Sequence, residues 1–112
     1  MRQLFAIPLQ NGRLCQHFGH CQQFSLVEVE NGSITGENLL TPPPHEPGLL
    51  PAWLAGKGVT DVIAGGMGQR AVSLFNAQGI RVNVGAQPKD PKELVSEWLK
   101  NELITGDNAC DH

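Results

Sequence analysis

The sequence has little of several features that would point to particular classes of protein. It contains no tyrosine, only three cysteines and a low share of charged residues, 17% of its 112 positions. Because three is an odd number, a framework of paired disulfides is not expected, and cytosolic thiol or metal chemistry is favoured. No apolar run approaches the ~20 residues that cross a bilayer, so we expect no membrane partner.

The charge of the chain is slightly acidic. Its formal net charge is −3 at pH 7, whereas proteins that bind nucleic acid normally carry a basic stripe that displaces counterions. A nucleic-acid partner is therefore not expected. The first ten residues, MRQLFAIPLQ, lack a signal-peptide pattern. We expect them to form a strand of a cytoplasmic protein.

The first half of the chain has the pattern of an antiparallel meander. A strand is predicted over Gln3–Leu9, and a second over Phe24–Glu30, where apolar and polar residues alternate. Asn31-Gly32 is a strong hairpin signal because both residues accept positive φ. The return strand is predicted over Ser33–Leu40.

The second half alternates between short strands and helices. Short strands joined through helices must run parallel, with right-handed crossovers. The residues therefore predict an α/β fold with one mixed five-stranded sheet and about three helices, in a single domain over 1–105 with a polar tail over 106–112. The elements predicted are a helix around Leu50–Leu54, strands at Asp61–Ala64 and Ile80–Val84, and helices at Gln69–Gln78 and after the cap Asp90-Pro91.

Two Cys/His clusters carry the clearest chemical signal. His17, His20 and Cys21 follow the first strand, and Cys110 and His112 lie in the tail. Thiolates and imidazoles are preferred ligands of zinc, copper and iron–sulfur centres. The spacing within each cluster lets two side chains of one segment reach one metal, so we predict these five residues as metal ligands. The alternative is that such short clusters are incidental.

A glycine turn, Gly65-Gly66-Met67-Gly68, lies between a predicted strand and a predicted helix. Backbone amides in such a turn can approach an anion, and the helix N-terminus adds partial positive charge. Phosphate, an oxyanion or the sulfides of an anionic cluster would suit it. The alternative is a tight packing turn in which Met67 fills the core.

Catalytic motifs are weak, so we expect a binding protein and not an enzyme. The chain has no Gly-x-Ser-x-Gly elbow. Cys21 beside His20 could be a nucleophile with its base, but adjacent residues of an extended segment point to opposite sides. Cys15 and His45 remain possible additions to the ligand set.

Several segments also occur in the order typical of one known family. They are the strand before His17-Phe18-Gly19-His20-Cys21, the strand at Phe24, the Asn31-Gly32 turn, the Pro-Pro-His45-Glu46-Pro47-Gly48 loop, Ala64-Gly65-Gly66-Met67-Gly68 and Gly79-Ile80. In this order the chain resembles the dinitrogenase iron–molybdenum cofactor biosynthesis family over nearly its whole length. The closing Asn108-Ala-Cys110-Asp111-His112 looks like a sub-branch of that family.

The resemblance implies a ribonuclease-H-like α/β fold without nuclease function. It also implies that the protein binds an iron- or molybdenum-containing sulfide cluster as a carrier or assembly accessory, with cluster donor or acceptor proteins as partners. The loop from His17 to Cys21, including Phe18 and Gly19, would border the cluster pocket together with Gly65 to Gly68. Cys110 and His112 are not shared across the family, so their role rests on the ligand argument alone.

Two other functions stay open at this point. One is a small regulatory or interaction domain in which the Cys and His residues bind structural zinc. The other is an enzyme that uses Cys21 or the glycine turn on a phosphorylated substrate. An exposed edge strand on a small mixed sheet predicts a monomer or a weak homodimer.

Overall fold

The computed structural model describes residues 2–15, 18, 21–43 and 49–103, and these follow the predicted order of meander and strand–helix units. No helix among the described residues is long and apolar enough to cross a membrane. The elements are β1 (Arg2–Gln10), β2 (Arg13–Leu14), β3 (Gln23–Glu30), β4 (Ser33–Leu40), α1 (Leu49–Gly56), β5 (Asp61–Ile63), α2 (Gln69–Ala77), β6 (Arg81–Asn83) and α3 (Pro91–Leu99).

The strands form one mixed sheet in the order β4-β3-β1-β5-β6. β1 is antiparallel to β3 and parallel to β5, and β5 is parallel to β6. The predicted α/β fold with a mixed sheet and three helices is therefore confirmed. The two-residue β2, which pairs Leu14 with Leu9 of β1, adds a sixth strand that is too short to leave a periodic signal.

The centre of the sheet is buried on both faces, because the side chains of β1 alternate between two apolar clusters. Leu4 and Ala6 face the helices α1 and α2, whereas Phe5, Ile7 and Leu9 face α3. The α1–α2 cluster also contains Phe18, Phe24, Leu26, Leu50, Leu54, Val59, Val62, Ala64, Met67, Phe75 and Ile80. The α3 cluster also contains Leu14, Val27, Val29, Ile63, Ala86, Leu94 and Val95.

Local signals fix the turns and the helix ends. Asn31 and Gly32 have φ of 52° and 80°, the left-handed pair that a two-residue hairpin needs. The Asp90 side chain accepts a hydrogen bond from the Lys92 N–H at 3.0 Å, and Pro91 opens α3. The predicted boundaries of these elements are confirmed to within one or two residues.

A buried carboxylate lies at the amino end of β5, below α3. Asp61 is fully buried, and its Oδ1 is 2.8 Å from the Arg81 Nε. Thr60 Oγ1 donates to its Oδ2 at 2.7 Å. Arg81 also lies over the Trp98 ring of α3, at 5.9 Å from the ring centroid. The contacts that Arg81 makes with Asp61 and Trp98 therefore link β5, β6 and the end of α3.

Replacing Arg81 by alanine should destabilise the protein more than replacing another paired arginine. Arg81→Ala leaves a fully buried carboxylate without its counter-charge, which costs about 2–3 kcal/mol of unfolding free energy. Arg2→Ala is the control, because its partner Glu28 is 36% exposed and such surface pairs contribute about 0–1 kcal/mol. Urea denaturation measures both variants. Equal losses would contradict the assigned role of Arg81.

Candidate functional site

The segments that follow β1 and β5 meet at one end of the sheet, beside the carboxyl ends of its parallel strands. The Phe18 N–H, in the loop between β2 and β3, donates to the Gly66 carbonyl at 3.0 Å. In open α/β sheets the crevice at the carboxyl ends of the strands is the usual ligand site. The structure thus brings the first loop and the glycine turn together, although they are far apart in sequence.

Phe18 anchors the first loop to the core. Its side chain is buried, and its ring packs edge-on against Phe24 of β3 and Phe75 of α2, with centroid distances of 5.6 and 5.4 Å. Such aromatic pairs contribute about 0.5–1.5 kcal/mol beyond their buried area. Phe18, expected to border the pocket, therefore acts at the site mainly through the position it gives to the loop.

The glycine turn is held by its carbonyl groups. Ala64 and Gly65 accept hydrogen bonds from Ala86 at 3.2 Å and Gly85 at 2.8 Å, and Gly66 accepts from Phe18. Gly65 and Gly66 are buried, and the Met67 side chain is fully buried in the α1–α2 cluster. The core interpretation of the Met67 side chain therefore fits the structure, and a ligand in the crevice would meet the backbone of this segment.

The end of the glycine turn is an open helix N-terminus. Gly68 is the N-cap of α2, with φ −63° and ψ 151°, and α2 has no side-chain cap. A Cβ built at Gly68 would meet no atom within 4 Å. The first amides of a helix have no intrahelical acceptor, so this end of α2 presents N–H donors beside open space.

Cys21 lies at the far end of the first loop and is half-buried against the α1–α2 cluster. Burial, and to a smaller extent the charge repulsion from the nearby Cys15, raise the pKa of the Cys21 thiol to about 11. Its backbone hydrogen bond has a smaller, opposite effect on this pKa. At neutral pH the thiol is therefore protonated, which opposes a role as an activated nucleophile.

Cys15 and the segment after Cys21 flank the end of β1 on opposite sides. The Cys15 N–H donates to the Pro8 carbonyl, and the Gln22 N–H donates to the Leu9 carbonyl, both at 2.8 Å. Successive carbonyls of a strand point in opposite directions, so Cys15 and Gln22 lie on opposite sides of β1. Neither Cys15 nor Cys21 forms a disulfide in the described part of the chain.

Cys21 is the one predicted metal ligand that lies in the described part of the chain. His17, His20, Cys110 and His112 lie outside it, as do Gly19, His45 and the predicted tail. Within the described residues, no three His, Cys, Asp or Glu side chains gather as a metal site. The predicted ligand set therefore stays a prediction.

Sequence reasoning missed the segment after β6. Gly85 and Ala86 support the glycine turn through the hydrogen bonds described above, and Gly85 has φ of 79°. A signal was available, because Gly85 follows the third parallel strand and its carboxyl end must lie beside that of β5. Cys15, a possible addition to the ligand set, is buried, and its Sγ lies 3.6 Å from the Gln10 Oε1.

Comparison with known proteins agrees with this architecture. A family model described as "Dinitrogenase iron-molybdenum cofactor" matches residues 1–101. The protein MJ0580 of Methanocaldococcus jannaschii is 40% identical over 103 residues, which is 88% of this chain and 86% of that protein.

Two solved structures are similar over almost the whole chain. The crystal structure of PH0822 has a TM-score of 0.85 and 27% identity, and the match covers 94% of each chain. The apo form of the orange protein from Desulfovibrio gigas has a TM-score of 0.75 and 19% identity, with coverage of 95% of this chain and 94% of that one. At 19% identity the second comparison shows the fold alone.

The rate at which Cys21 is alkylated should depend on pH as expected of a buried, non-activated thiol. With a pKa of about 11, Cys21 should react with iodoacetamide at pH 7.5 on the order of tenfold more slowly than free cysteine. The midpoint of its rate–pH curve should fall in Cys15→Ser, because a repelling charge is removed. Peptide mapping by mass spectrometry isolates Cys21. A midpoint at or below pH 8 would contradict this description of the thiol.

Proposed function

The chain belongs to the dinitrogenase iron-molybdenum cofactor family, and on that premise we propose that it binds a metal–sulfur cluster and delivers it to other proteins. The observation that carries the proposal is the hydrogen bond from the Phe18 N–H to the Gly66 carbonyl. It joins the loop that bears Cys21 to the segment that leads into the open end of α2. Thiol ligands and amide donors can then face one cargo.

The charge near the carboxyl ends of the parallel strands favours an anionic cargo. The first turn of α2 contains no acidic residue, and it contains the exposed Arg70. Helix N-termini bind anions through their free N–H groups and the helix dipole. Sulfide-rich clusters of iron or molybdenum carry negative charge, so the N–H groups of Gly65–Gly68 and of the first turn of α2 are proposed to cradle the sulfides.

The proposed metal ligands are Cys21 with His17 and His20 in the first loop, and Cys110 with His112 in the tail. Since a thiol must lose its proton to bind a metal, uptake at a thiol with a pKa near 11 should release a proton. Affinity should therefore fall as the pH falls. Because Cys21 is half-buried and the end of α2 lies beside open space, a cargo bound there remains accessible from outside, which suits transfer to an acceptor protein.

The proposed role is delivery and not turnover. The protonated state of Cys21 supports this part of the proposal, because nucleophilic catalysis needs a thiolate. Within the part of the chain that the structure describes, Cys15 and Cys21 form no disulfide, which suits a reducing compartment and supports the expected cytoplasmic location. Donor and acceptor proteins of the cluster are the partners that this role requires. The alternative function is a regulatory domain with structural zinc. The metal content of the purified protein distinguishes this alternative from a cluster carrier.

Metal and sulfide analysis of protein purified without oxygen tests the proposal. The protein should contain iron or molybdenum together with acid-labile sulfide, and Cys21→Ser/Cys110→Ser should lose most of both. Arg81→Lys is a control at the opposite end of the sheet and should keep them. Stoichiometric zinc without sulfide would favour the structural alternative. A metal-free, colourless product after anaerobic reconstitution would count against the carrier.

A charge placed at Gly68 tests the proposed amide cradle. Because a side chain at Gly68 meets no atom within 4 Å, Gly68→Asn and Gly68→Asp should both fold, and capping should stabilise them by a few tenths of a kcal/mol. Only the aspartate adds a negative charge beside the proposed cargo. We expect Gly68→Asp to reduce cluster loading several-fold relative to Gly68→Asn. Equal cluster loading of the two variants would contradict a role of the α2 N-terminus in binding.

A further inference from the structure

The two edges of the sheet differ in how they are protected. β6 has only three residues, so its outer edge offers a partner strand few backbone groups. β4 has eight residues and pairs with β3 on one side. A long edge strand without proline or lysine is a ready template for another strand, and β4 contains neither. Among the strands of the described residues, the long edge with no partner on its outer side is therefore β4.

The single charge of β4 is already engaged within the protomer. Glu37 Oε2 accepts a hydrogen bond from the buried Ser25 at 2.6 Å, and the Lys92 Nζ of α3 is 3.8 Å from the other carboxylate oxygen. Glu37 therefore does not shield the edge as a free charge would. It pairs with Val27, so its side chain lies on the α3 face of the sheet.

Leu39 is the exposed apolar side chain of this edge. Among the described residues it is the one large hydrophobic residue that is exposed, with 56% of its surface accessible. It pairs with Ser25, which is two residues before Val27, so it lies on the α3 face like Glu37. A β-bulge between Glu28 and Val29 disturbs the pairing of the first half of β4. The regular part of the edge thus contains Leu39.

We propose that a second copy of this chain pairs with β4, antiparallel, with the two-fold axis at Leu39. When the two-fold axis is perpendicular to the sheet, the residue on the axis lies opposite the same residue of the second copy. The two sheets then join into one sheet, with the α3 faces of both copies on the same side. The axis at Leu39 places two exposed leucines against each other. A two-fold axis guarantees this apolar match, whereas an unrelated strand would have to supply it by chance.

Other registers of the same dimer are less favourable. An axis at Glu37 would oppose two carboxylates, which destabilises a strand pair. An axis at Asn38 would set each Leu39 against Glu37, and an axis at Gly36 would include the bulge. An axis at Leu40 would bring in Pro42, which has no N–H to donate. Charge and hydrogen bonding therefore select Leu39.

The dimer should be weak. Pro42 and the bulge limit regular pairing to the few residues between Glu37 and Thr41. Stable interfaces bury at least about 1,200 Å² with a well-packed core, which one short pair of strands does not supply. We therefore expect a concentration-dependent equilibrium of monomer and dimer, independent of cluster binding.

Cysteine cross-linking tests the register in a Cys110→Ser background, where Cys15 and Cys21 are the same in every variant. Residues opposed in an antiparallel pair have Cα atoms about 4.5–5.5 Å apart, within the range of a disulfide. Leu39→Cys should therefore form a covalent dimer under mild oxidation. Glu37→Cys should not, because its two copies would be about 14 Å apart along the strand. Gln78→Cys, exposed on the C-cap of α2, gives the background of random collision.

Sedimentation equilibrium tests the same interface without a cross-link. Leu39→Lys should weaken self-association about tenfold or more, because it removes the apolar match and opposes two charges. Ala52→Lys, exposed on α1, should leave it unchanged. A Leu39→Cys variant that cross-links no faster than Gln78→Cys would overturn the proposal, as would faster cross-linking of Glu37→Cys. A protein that stays monomeric at millimolar concentration would do the same.

Discussion

The structure depends on β1 having a strand partner on each side and an apolar layer on each face. Antiparallel pairing with β3 and parallel pairing with β5 fix its register, so Leu4 and Ala6 face α1 and α2 while Phe5 and Ile7 face α3. Sliding β1 by one residue would exchange the two faces. The same pairing sets the carboxyl ends of β1 and β5 side by side, so the segments that form the candidate site meet.

The amino and carboxyl ends of the parallel strands have different roles. At the amino end, the buried Asp61 and its partner Arg81 tie two strands to α3. At the carboxyl end, the N-terminus of α2 at Gly68 has no side-chain cap and lies beside open space, and Cys21 is half-buried. The carboxylate that stabilises the fold is thus paired and fully buried, whereas the end of α2 remains accessible.

Most of the fold could be predicted from local signals, but only part of the site could. Asn31-Gly32 and Asp90-Pro91 define their elements because backbone conformation or capping admits few alternatives there. β2 could not be predicted, since two residues have no period. The anchoring role of Phe18 and the support from Gly85 arise from contacts between segments distant in sequence, which no local pattern encodes. The Cys/His spacing identified candidates without indicating which of them meet.

The central claim is that cargo binds at the carboxyl ends of β1 and β5. The most direct test compares amide NMR spectra of protein purified anaerobically with its cargo and of the same protein after chelation. If cargo binds there, the shifts should be concentrated at Cys21 and at Gly65 to Gly68, while the amide signals of Asp61 and Arg81 stay in place. Unchanged amides at the glycine turn, with shifts at the Asp61 end or at none of the described residues, would contradict it.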